Sequence, residues 1–82
     1  MQYTYKTKGV CSTTIIIDVE GDTVTGVRFI GGCNGNLQGI SSLVSGMKVD
    51  DVINKLENIR CGFKNTSCPD QLAKALKQIN QA

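Results

Sequence analysis

The sequence contains no histidine. That removes the commonest general base, every histidine-based triad and the imidazole metal ligand together. Charge of either sign is nearly balanced, nine basic against seven acidic residues, for a net charge of +2. The basic residues are scattered and aromatics make up only 5% of the chain. Both the electrostatic footprint and the stacking platforms of nucleic-acid binders are therefore missing. No apolar run approaches the ~18 residues that suggest a membrane span, and the polar start around Tyr3, Tyr5, Lys6 and Lys8 has no signal-peptide core. A cytoplasmic domain that meets neither membrane nor nucleic acid is expected. Paired carboxylates suited to acid–base catalysis are lacking too. Asp50 and Asp51 are adjacent, so they do not face one another on a helix, and Asp18 and Glu20 share a strand face that reads as solvated.

What is present is enough apolar residue, 40% of 82, for one small folded domain. A domain of this size often gains stability from a metal, a disulfide or a partner. The first third alternates. Residues 3–8 read as a short strand. Residues 11–20 place Cys11, Thr13, Ile15, Ile17 and Val19 on one face and Ser12, Thr14, Ile16, Asp18 and Glu20 on the other. Gly21-Asp22 signals a tight hairpin turn into residues 23–30, where Val27 and Phe29 share one face and Val24, Gly26, Arg28 and Ile30 the other. The loop Gly31-Gly32-Cys33-Asn34-Gly35-Asn36 is too glycine-rich for regular structure. It fits neither a P-loop nor a dinucleotide fingerprint, and Asn34 or Asn36 can cap the helix after it.

Helical spacing takes over from there. Leu37, Ile40, Leu43 and Val44 predict a helix to about residue 45, closed by Gly46. Val49, Val52, Ile53, Leu56 and Ile59 predict a second, with Asp50 and Asp51 in its first turn. Leu72, Ala73, Leu76 and Ile79 predict a third over residues 69–80, with Pro69 in its first turn and Cys68 as N-cap. Strands then helices, segregated along the chain, specify an α+β fold: a three-stranded antiparallel sheet with about three helices packed on one face.

Four cysteines remain, at 11, 33, 61 and 68, all at element ends or in loops. Cys11 begins the second strand and Cys33 comes just after the third, so antiparallel pairing makes them neighbours at one end of the sheet. If the last helix points its N-terminus to that end, Cys68 joins them with Cys61 close by. Four thiolates together suit Zn²⁺ or an iron–sulfur cluster. Cys61 and Cys68 are also the pair for a redox disulfide, since a helix N-terminus favours a thiolate. The plainest alternative is reduced, buried, inert cysteines. The supporting loop residues are Gly31, Gly32, Asn34, Gly35, Ser67, Pro69 and Asp70.

The run Thr66-Ser67-Cys68-Pro69-Asp70, with Cys61-Gly62 before it and Gln71-Leu72-Ala73 after, resembles the signature of the TSCPD domain family. The likeness extends back through Phe29–Asn36 and Gly39–Gly46, covering most of the chain. That family occurs as small stand-alone proteins and at the C-terminal end of some ribonucleotide reductases, mainly cobalamin-dependent ones. The resemblance implies a part in DNA precursor synthesis, with a ribonucleotide reductase or a related nucleotide-metabolism enzyme as protein partner. A chain of 82 residues is too short to be a complete reductase. The layout is also similar, more distantly, to NifU/IscU-like scaffold proteins of iron–sulfur cluster assembly, with Cys11, Cys33 and Cys68 falling at the scaffold cysteine positions. Thr13 and Ser67 stand where that group has Asp and His, and Cys61 is additional. By that resemblance an iron–sulfur carrier is a further alternative.

Overall fold

The computed structural model describes residues 1–7, 12–31, 34–60, 62 and 66–81. Three strands, β1 (Gln2–Lys6), β2 (Ser12–Glu20) and β3 (Thr23–Gly31), precede three helices, α1 (Asn34–Val44), α2 (Val49–Leu56) and α3 (Cys68–Gln81). The strands form one antiparallel sheet in the order β1-β2-β3. This is the α+β arrangement expected from the alternation and the helical spacing after it. Glu20 pairs with Thr23 across the two-residue turn, where Gly21 takes φ 62°.

One face of the sheet carries the core. Ile15, Ile17, Val19, Val24 and Val27 cluster with Val44 of α1, with Val49, Val52 and Ile53 of α2, and with Leu72, Ala75 and Leu76 of α3. All three helices thus cover the same face. The opposite face presents Gln2, Thr4, Lys6, Arg28 and Ile30, all exposed. Among the described residues no helix is long and apolar enough to cross a membrane.

Two irregularities re-aim the strands. Asp18 pairs with Gly26 but Val19 pairs with Val24, which leaves Thr25 as an extra residue on β3. An extra residue reverses the in–out alternation. Val24, expected with Gly26 and Arg28, is instead fully buried beside Val27. Near the other end Ser12 pairs with Gly31 and Thr14 with Ile30, so Thr13 has no register partner. It is exposed, where simple alternation predicts the core face, and donates from Oγ1 to the Ile30 carbonyl at 3.2 Å.

The helices depart from expectation in three places. Helix α1 starts at Asn34, inside the stretch read as irregular, because a first turn needs no donors from its own N–H groups and so tolerates Gly35 and Asn36. Leu43 is 77% exposed. It lies about 100° from Val44 around the helix, off the face that Leu37, Ile40 and Val44 share. Helix α2 ends at Leu56, and Asn58 at φ 68° turns the chain, so Ile59 drops out of the apolar stripe and is exposed. Gly46 closes α1 as expected, with φ 91°, and its N–H donates to the Val24 carbonyl at 2.7 Å. The Val24 N–H returns a bond to the Met47 carbonyl at 2.8 Å, fastening the α1–α2 connection to the start of β3.

The same truncation at two helical leucines should separate core from surface. Leu72→Ala, at a fully buried site, is expected to lower unfolding free energy by about 3 kcal/mol. Leu43→Ala should stay within about 0.5 kcal/mol of the parent. Urea midpoints for the two variants check this.

Candidate functional site

The candidate site is built where the chain enters α3. The Ser67 carbonyl accepts the Gln71 N–H at 2.8 Å, and Ser67 Oγ accepts the Asp70 N–H at 3.1 Å. Ser67 is therefore the N-cap and Cys68 the first helical residue, one position further into the helix than the spacing of Cys68 and Pro69 predicts. A serine hydroxyl is a far better acceptor for an open backbone N–H than a thiol. Pro69 still falls in the first turn, where no intrahelical bond is lost.

Asp70 is 1% exposed. Its Oδ1 accepts the Asn58 N–H at 2.7 Å, and Oδ2 accepts the Thr66 hydroxyl at 2.5 Å and pairs with Lys74 Nζ at 2.8 Å. Gln71 Nε2 donates to Thr66 Oγ1 at 3.0 Å, and the Ser67 hydroxyl donates to the Ile59 carbonyl at 2.6 Å. The exit of α2 and the entry of α3 are thus bound through one buried carboxylate and one serine. Glu57 adds an ion pair with Lys77 further along α3. Burial pushes the Asp70 carboxyl up, but Lys74, the Thr66 hydroxyl and the Asn58 N–H together outweigh it and hold the group below its ordinary value.

Cys68 stands partly exposed at the head of this arrangement. Ser67, Pro69 and Asp70 are gathered around it in the first turn. Cys11, Cys33, Cys61 and Gly32 lie outside the described residues. Ser12, next to Cys11 in sequence, pairs with Gly31, and α1 begins at Asn34-Gly35 just after Cys33. Ser12 and Gly31 mark the end of the sheet away from the hairpin turn. Helix α3 runs toward that end from its C-terminus. Ile79 borders Met1, Tyr3, Glu20 and Gly21 near the turn, while Ala75 and Gln78 border Tyr3 to Tyr5 of β1. Cys68 lies about 16 Å further along the helix axis than Ile79. Among the described residues no group of three metal-ligating side chains comes together.

Thr66, Asn58 and Lys74 are partners that the sequence reading does not single out. Only Lys74 leaves a signal, the Asp70–Lys74 spacing four apart; Thr66 and Asn58 reach Asp70 through the fold. Elsewhere, a hollow of about 350 Å³ between β3 and α1 is lined by Val27, Phe29 and Leu37 with Arg28, Gln38, Ser41 and Ser42. Among its described lining residues Arg28 is the one charged side chain.

The fold and this capped entry turn define a small α+β domain whose signature residues act as a structural clamp beside a thiol. The chain belongs to the TSCPD domain family, whose profile matches residues 2–80. No curated protein and no solved structure matches it. The family match bears out the resemblance carried by residues 66–70 and adds nothing to the scaffold likeness.

The clamp makes stability depend on pH. The folded state depresses the Asp70 value below 3.8, so unfolding takes up a proton in acid. The stabilisation is complete at neutral pH, begins to fade as pH nears 3.8, and is lost as pH falls through the folded-state value. Asp70→Asn should lower stability by about 2 kcal/mol at pH 7 and flatten the acid limb of stability against pH. Urea titrations of both proteins between pH 7 and pH 2.5 measure the difference.

Proposed function

We propose that this domain is a cysteine-ligated metal module that serves a ribonucleotide reductase in DNA precursor synthesis. One observation carries the reading: α3 directs Cys68 toward the end of the sheet where Ser12 and Gly31, the residues beside Cys11 and near Cys33, are register partners. Cys61 belongs to the connection whose two ends are pinned by Asp70 and Ser67. Sulfur donors without histidine suit Zn²⁺ or an iron–sulfur cluster. Cys11, Cys33, Cys61 and Cys68 are the residues that would hold it. Bound there, the metal supplies a crosslink between the sheet and the last helix, and its binding energy adds to folding energy. The reductase partner rests on family membership.

A second reading is supported by the partial exposure of Cys68 in the first turn of α3. The Cys61 and Cys68 thiols would exchange with a disulfide of the reductase, forming their own disulfide as the reductase gains two thiols, and an external dithiol would reduce the pair again.

Protein purified without oxygen should carry about one zinc or one cluster per chain, and Cys68→Ser and Cys11→Ser should each lose most of it. Visible absorbance distinguishes cluster from zinc. A metal content below about 0.2 per chain rules out the module. In that case alkylation before and after mild oxidation tests the second reading, which requires two thiols to disappear together and return on reduction.

A further inference from the structure

The geometry points to β1 as a self-pairing edge through which two copies of this chain form one six-stranded sheet. Met1 and Val19 exchange both backbone bonds, Met1 N to the Val19 carbonyl at 2.8 Å and Val19 N to the Met1 carbonyl at 2.9 Å. Bonded and non-bonded pairs alternate in an antiparallel ladder. Tyr3 and Tyr5 therefore bond to Ile17 and Ile15, and the N–H and C=O groups of Gln2, Thr4 and Lys6 face away from β2. Among the described residues nothing closes this edge. At the opposite side of the sheet, the start of β3 is already occupied by the connection through Gly46 and Met47.

An open edge is a template for another strand, and β1 fits its own copy. Antiparallel pairing centred on Thr4 sets Gln2 against the second copy's Lys6, Thr4 against Thr4, and Lys6 against Gln2. Every outward-facing residue then meets an outward-facing one, for six backbone bonds. The register is isologous, as a two-fold dimer requires.

The side chains agree with the backbone. On the helix face Tyr3 meets the second copy's Tyr5 in non-bonded pairs, where side chains approach most closely. Beside them lies a groove of about 210 Å³ lined by Tyr3, Thr4, Tyr5, Ala75, Gln78 and Ile79, none of them charged. It can receive the added aromatic rings. On the outer face no lysine opposes a lysine. Lys6 instead heads a row that runs through the other copy's Gln2 to its Asp18, about 10 Å away by strand spacing, giving an attractive charge arrangement.

Sedimentation equilibrium with reductant present, from about 1 µM to 1 mM chain, should show mass rising from 8.8 kDa to twice that value. Thr4→Pro removes an outward N–H while sparing the bonds to β2. Both central hydrogen bonds are lost, so the dissociation constant should rise about thirty-fold. Thr4→Lys sets two cations opposite each other at the two-fold axis and should raise it about five-fold without touching the backbone. Circular dichroism identifies a variant that has failed to fold, and Thr4→Lys decides if the proline variant does. In the parent, amide exchange at Gln2, Thr4 and Lys6 should slow as concentration rises. A single-chain mass throughout overturns the proposal and leaves the edge to a different protein's strand. A dimer indifferent to Thr4→Lys, or one in which those three amides exchange at unchanged rates, overturns it equally.

Discussion

A carboxylate withdrawn from water must be met on every side, and Asp70 is met by a backbone N–H from Asn58, a hydroxyl from Thr66 and an ammonium from Lys74. These donors come from the exit of α2, the approach to α3 and the next turn of α3. Together they offset the cost of burying the charge and hold the entry of α3 against the exit of α2. Ser67 works in the same place with both its atoms, capping the helix and holding the Ile59 carbonyl. Three of the five residues in the family signature, Thr66, Ser67 and Asp70, are thus accounted for by structure. Cys68 stands among them partly exposed, while the clamp runs through its neighbours.

The sheet contributes direction. Helix α3 lies beside β1 with its C-terminal part near the hairpin turn, so its head faces the end where Ser12 and Gly31 pair. The core cluster shared by the three helices and one sheet face holds this arrangement. In the paired assembly through β1, the two-fold axis would send the two copies' Ser12–Gly31 ends to opposite ends of the extended sheet.

Much of this was legible in the amino-acid order. Period-two alternation and Gly21-Asp22 specified the meander, and the apolar spacing of α2 and α3 specified their buried faces, because those signals reflect burial directly. The bulges left no mark, since one added residue has no signature until a partner strand sets the register. Thr13 and Val24 sit on unexpected faces for that reason. Leu43 shows that apolar identity alone does not establish phase around a helix. The cap fell one residue away because Ser67 and Cys68 both stand before Pro69, and only acceptor strength separates them. Burial of Asp70 ran against the usual exposure of acids. The direction of α3 across the sheet was an open condition that no local pattern could settle.

The connection between Asn58 and Thr66 has both of its ends fastened by groups that lie outside it, Asp70 and Ser67 on the α3 side holding the backbone of residues 58 and 59. Closure of that segment is therefore set by the anchors and not by its own length. For a chain tethered this way, doubling the number of residues raises the closure entropy by only about 0.6 kcal/mol. Added residues between positions 62 and 66 would consequently cost little closure entropy and leave Cys61, Ser67 and Asp70 at their own places in the chain.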